Sequence, residues 1–186
     1  MSTEPARPQR ADARRNRARV LEVAHEVFAT EGLGVTMDDV ARRAGVGVGT
    51  VYRHFPTKEA LFEAILASRI EQMAQEARAL ADAEDPGAAF FTFFESMIKS
   101  VVLNKAFGEA LSAAGRDLAE ISQKSGGMVH EAQAVLLKRA QDAGAVRPDV
   151  TPAELKAIIV GIVTMERHLH QEPGRLTEMM LRALRT

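Results

Sequence analysis

Apolar residues recur three and four positions apart along almost the whole chain, and no segment alternates convincingly between apolar and polar side chains. That periodicity commits the chain to helices and leaves nothing from which to build a sheet, so the expected fold class is all-α. With 186 residues of which 46% are hydrophobic, there is ample apolar surface for one or two packed domains. The absence of Cys excludes disulfides, thiolate metal sites and thiol nucleophiles. The longest apolar stretch, Ala157 to Met165, falls far short of the roughly 20 residues of a membrane helix. The first twenty residues are polar and Arg-rich and have no apolar signal core, so a cytoplasmic protein without membrane association is expected.

Helix boundaries follow from local chemistry. Asp12 to Thr30 carries Val20, Ala24, Val27 and Phe28 at helical spacing and stops at Glu31-Gly32-Leu33-Gly34. Thr36 is an N-cap candidate, with Asp39 filling the acidic slot three residues on. The helix it opens lasts about two turns before Gly45-Val46-Gly47, and Val48 to Phe55 forms a second short helix that ends before Pro56. Thr57 caps a long helix that runs to Asp85-Pro86-Gly87. Further helices are expected at Ala88 to Leu103, Lys105 to Ala114, Arg116 to Ala143 with an irregularity at Gly126-Gly127, Pro152 to His170, and Gly174 to Arg185. Thr151-Pro152-Ala153-Glu154 supplies an N-cap, a proline at the first helical position and a reciprocal glutamate.

Residues 36 to 55 therefore spell a short capped helix, a glycine turn and a second short helix, the plan of a helix-turn-helix. Gly45 supplies the positive φ where the helices meet, and Val40, Val46 and Val51 can fill the inside corner. Gly47, Val48, Gly49 and Thr50 keep the second helix slim enough for a major groove about 12 Å wide. Tyr52, Arg53 and His54 add donors, while Arg14, Arg15, Arg17 and Arg19 add charge on or before the first helix. The formal net charge of −1 hides a segregation. Residues 1–58 hold 10 Lys and Arg against 7 Asp and Glu, whereas residues 59–186 hold 14 against 18. A basic end suited to a polyanion is thus joined to an acidic remainder.

The run from Val35-Thr36-Met37-Asp38-Asp39-Val40-Ala41 through Ala44-Gly45-Val46-Gly47-Val48-Gly49-Thr50-Val51-Tyr52-Arg53-His54-Phe55-Pro56-Thr57-Lys58-Glu59-Ala60-Leu61 closely resembles the DNA-binding domain of the TetR family of transcriptional regulators. The resemblance covers roughly residues 13 to 66, and the rest is similar only in length and helix succession. It implies an N-terminal arm and helix-turn-helix domain over 1–58 and a helical effector-binding and dimerisation domain over 59–186. It further implies a double-stranded DNA operator as partner. Thr36, Tyr52, His54 and Lys58 would contact phosphates, and Gly47, Val48, Thr50 and Arg53 would lie against bases or the adjacent backbone. Many members have Ser and a polar or basic residue where this chain has Gly47 and Val48, so base readout would lean on a thymine methyl against Val48, on Thr50 and on DNA shape.

Phe90, Phe91, Phe93 and Phe94 concentrate half of the phenylalanines within five residues, and Met97 follows three positions on. The resemblance implies a small effector bound in this domain, and an apolar or planar one would suit Phe90, Phe94, Met97, Phe107, Met128 and Met165. Core packing is the competing role for each of them. Leu155, Ile159, Ile162, Leu176, Met180 and Leu184 form apolar stripes on the last two helices, where the family typically builds a four-helix homodimer interface. The sequence points to a repressor released by its effector, with a helical ligand-binding or scaffold protein as the alternative. No catalytic set, cofactor site or metal site is expected. Gly45-x-Gly47-x-Gly49 lacks the strand and the Lys of a phosphate loop. His168 and His170 lie two apart and point in different directions on a helix, so with Glu166 and Glu172 they hold a metal only across a dimer.

Overall fold

The computed structural model describes residues 7–115, 118–166 and 174–186. Among these residues the chain forms α1 (Arg7–Glu31), α2 (Met37–Ala44), α3 (Val48–His54), α4 (Lys58–Leu80), α5 (Pro86–Ala113), α6 (Leu118–Asp142), α7 (Pro152–Glu166) and α8 (Arg175–Leu184). No strand occurs among them, only an isolated antiparallel bridge between Val146 and Arg185. None of their helices is long and apolar enough to cross a membrane.

The chain divides into two compact units, one of Met1–Ser68 with Ala106–Asp117 and one of Arg69–Lys105 with Leu118–Thr186. In the first unit, Val20, Ala24 and Phe28 of α1, Val40 and Ala41 of α2, Val51 of α3 and Leu61 and Phe62 of α4 are buried. Phe107 of α5 joins this core: its ring centroid lies 5.3 Å from that of Phe62 and 6.0 Å from that of Phe28. In the second unit the core gathers Met73 and Ala77 of α4, Phe90, Phe91, Phe93 and Phe94 of α5, Leu136 and Leu137 of α6, Leu155, Ile159 and Ile162 of α7, and Leu184 of α8. Four phenylalanines buried within five residues require apolar neighbours on more than one face of α5. Arg139 closes the turn between α4 and α5 by donating to the carbonyls of Ala81 and Ala83. The same turn packs tightly on the segment after α6, because a Cβ at Gly87 would stand 2.6 Å from that of Ala145. Arg185 lies 4.0 Å over the Phe91 ring and ties down the end of the chain.

Several features differ from the sequence expectation, among them the end of α4, which stops at Leu80 short of Asp85. α1 starts at Arg7 instead of Asp12. α5 runs unbroken through Asn104 and Lys105, where two separate helices are expected, since neither Gly nor Pro stands there to stop the helix. α6 stays helical through Gly126-Gly127. The cap of α7 forms as the sequence spells it, with Thr151 N donating to Glu154 Oε2 at 2.8 Å and Glu154 N donating back to Thr151 Oγ1 at 3.3 Å. The backbone and hydroxyl hydrogen bonds from Thr151 hold the Glu154 carboxyl below its ordinary value.

Candidate nucleic-acid interface

The site is built by two local devices. At the start of α2, Thr36 is extended and its hydroxyl accepts from Asp39 N at 3.2 Å while donating to Asp39 Oδ2 at 2.6 Å. At its end, Gly45 adopts φ 65° and ψ 32°. Gly45 N donates to Arg42 O and Val46 N to Ala41 O, so the last carbonyls of α2 are satisfied as the chain reverses. The turn must be glycine because a left-handed conformation strains any residue with a Cβ. α3 opens two residues later, with Thr50 N donating to Gly47 O at 2.8 Å.

Spacing within α3 then sorts its residues into faces. Val51 and Phe55 are buried and fasten the helix to the first unit's core. Burial of such side chains contributes roughly 1.5–3 kcal/mol each. Val48 and Tyr52, one turn apart, are 40% and 44% exposed, and beside them Gly49 and Arg53 are exposed as well. Thr50 and His54 are half-buried on the flank, and Gly47 is exposed at the entrance. The helix thus offers a thin face of one methyl-bearing residue, one phenol and one guanidinium.

Around that face the cations divide into two sets. Arg14, Arg17 and Arg19 of α1 are exposed, and the Arg17 guanidinium lies 5.3 Å from the centre of the Phe55 ring. Arg43 is committed instead to Glu31, its Nη2 donating to Oε2 at 2.8 Å, which ties α2 to the end of α1. That hydrogen bond lowers the Glu31 carboxyl and raises the Arg43 guanidinium from their ordinary values. Lys58 is half-buried at the start of α4. Its ammonium donates to Leu33 O and stands 5.5 Å and 5.7 Å from the ring centres of Phe28 and Phe62. The Arg43–Glu31 pair and the Lys58 clamp were invisible in the sequence because their partners lie 12 and 25 positions away with no periodic relation.

The cap carries a pH signature. Chiefly through the Thr36 hydroxyl, the Asp39 carboxyl is held below its ordinary value. A carboxyl lowered in the folded state contributes stability above its unfolded pKa and loses it as pH falls through the folded one. Thr36→Ala is expected to cost about 1 kcal/mol at neutral pH. Thermal unfolding across the acid range is expected to lose stability more steeply in the parent than in Asp39→Asn. Parallel curves would show that the cap does not matter.

The remaining sequence candidates are not brought to one place. Phe90 and Phe94 are stacked, with centroids 5.7 Å apart, inside the second core, and Met97 packs against that core half-buried. Phe107 belongs to the first unit's core. Met165 is 49% exposed on α7, which removes it from an interior pocket, and the Met128 side chain lies outside the described residues. Of the dimer candidates, Leu155, Ile159, Ile162 and Leu184 are buried in the chain's own core. Leu176 and Met180 are half-buried, and Val160, Met165 and Met179, 55%, 49% and 56% exposed, are the large apolar residues of α7 and α8 left outside among those described. The apolar stripe of α7 is covered by its own chain at Leu155, Ile159 and Ile162. His168, His170 and Glu172 lie outside the described residues. No group of three metal-binding side chains occurs among those described.

A profile of bacterial regulatory proteins of the tetR family matches residues 20–65, and one of the C-terminal domain of SbtR-like transcriptional regulators matches residues 85–186. The crystal structure of a TetR transcription regulatory protein from Mycobacterium vanbaalenii is 44% identical, covers 96% of this chain and 100% of its own, and superposes with a TM-score of 0.78. A TetR transcriptional regulator from Streptomyces coelicolor is 29% identical over 91% of this chain and 98% of its own, with a TM-score of 0.75. Among curated relatives, the uncharacterised HTH-type transcriptional regulator TtgW of Pseudomonas putida is 45% identical over 65 residues, which is 34% of this chain and 48% of that protein. The chain thus spans about half the length of that curated relative.

Proposed function

Because the chain belongs to the TetR family of transcriptional regulators, we propose that it is a homodimeric repressor released from its operator by a small apolar or aromatic effector. The observation that carries the DNA-reading part is the sorting of α3, which buries Val51 and Phe55 and leaves Val48, Tyr52 and Arg53 outward. In this reading Val48, Thr50 and Arg53 face bases, with Gly47 allowing close approach. Tyr52, His54, Thr36 and the remaining ammonium protons of Lys58 hold phosphates. Val160, Met165 and Met179 cover one another across a two-fold axis together with Leu176 and Met180, and two copies of α3 read half-sites about one helical turn apart. The effector occupies the phenylalanine-rich second core and favours a dimer whose α3 helices are wrongly spaced for the operator. Effector and DNA then oppose one another reciprocally, by roughly 1–3 kcal/mol.

The test is binding to DNA flanking the protein's own gene at several salt concentrations. Sequence-selective binding that weakens with salt is expected, and salt-insensitive or unselective binding would sink the proposal. Lys58→Ala should weaken all sequences alike and reduce the salt slope by about 1. Tyr52→Phe should also weaken all sequences alike but leave the slope unchanged, because a neutral hydroxyl releases no counterion.

A further inference from the structure

We propose that the second unit's core contains a polar anchor for a neutral, largely apolar ligand bearing a carbonyl-type acceptor, and that the anchor is the side-chain amide of Gln133. This rests on the effector reading above and gives the ligand a chemical class. Gln133 lies in α6 and is only 2% exposed. Val129, Leu136, Leu137 and Ala140 of the same helix are buried members of the apolar core that also holds Phe90 and Phe94. A buried amide N–H almost always has a hydrogen-bond partner, because stripping it of water without replacement is costly. Gln133 Nε2 has none among the described residues.

An apolar side chain of similar volume would fill the position without that cost. The amide therefore weakens the empty protein, and a ligand that accepts from Nε2 recovers what is lost. The surroundings define the rest of the ligand. Ser100 and Gln133 are the buried polar residues among those described and neither carries a charge, so an ionised ligand would find no fully buried counter-ion there. The phenylalanines favour a flat apolar body, and the amide donor of Gln133 favours an acceptor attached to it.

The test uses acetophenone and ethylbenzene, which differ by a carbonyl in place of a methylene, on the full chain and on Gln133→Leu. Acetophenone should bind the parent about tenfold more tightly than ethylbenzene. In Gln133→Leu that preference should vanish through loss of acetophenone affinity alone, and the unliganded variant should unfold at a higher temperature than the parent. Gln133→Met, with an unbranched chain of similar length, repeats the measurement if Leu does not pack. Both variants less stable than the parent, a preference that survives the substitution, or a parent that binds neither compound overturns the anchor. Operator release is read separately. If acetophenone binds through Gln133 and leaves DNA affinity unchanged, the release reading fails while the anchor stands. If a compound releases DNA equally from parent and variant, the anchor fails while release stands.

Discussion

Phe107→Ala is expected to destabilise the first unit by about 3–5 kcal/mol, among the largest effects of any single truncation in the chain. The ring is 1% exposed and meets Phe28, Phe62 and His25 at centroid distances of 6.0, 5.3 and 6.4 Å. Its removal opens a cavity among aromatic side chains that share no backbone segment with it and cannot simply collapse inward. Hydrogen exchange would register the loss as faster exchange in α1 and in the first turns of α4. DNA affinity should fall with the folded fraction and recover at lower temperature. If the first unit stays intact while small-molecule binding disappears, Phe107 lines a ligand site and its place in this core is not what matters.

Arg53→Ala is expected to produce the largest change in what DNA the protein prefers. Its exposed guanidinium shares the outward side of α3 with Val48 and Tyr52, and bidentate donation to a guanine edge is the contact that Arg makes best. Losing it should cost about 1–3 kcal/mol on the preferred operator and much less on a sequence substituted at the contacted base pair. Binding selections on parent and variant would show preference relaxed at one position per half-site. A uniform loss across sequences would instead reassign Arg53 to the phosphate backbone.

What the sequence made legible was whatever short-range chemistry decides. The Thr36 and Thr151 caps, the left-handed turn at Gly45 and the inward placement of Val51 each depend on residues within a few positions of one another. Periodicity also located the apolar stripe of α7, but it cannot say what covers a stripe. Leu155, Ile159 and Ile162 serve their own core, and only the structure separates them from Val160 and Met179. Phe107 stands with Phe90 and Phe94 among the large apolar candidates of one stretch of sequence. An unbroken α5 instead carries it into a different core, and no local signal distinguishes a continuous 28-residue helix from two shorter ones. The clamps on Arg43 and Lys58 escaped notice for the same reason, since a cation's partner is chosen by tertiary proximity.

The exposed phenol on α3 has a spectroscopic consequence. The chain has no Trp and one Tyr, so its intrinsic near-ultraviolet emission originates at Tyr52, on the face that would meet DNA. The unmodified protein therefore carries its own fluorophore at the recognition helix. Its quenching would follow occupancy of that face without a dye or a tag, and would be blind to events elsewhere that leave α3 undisturbed.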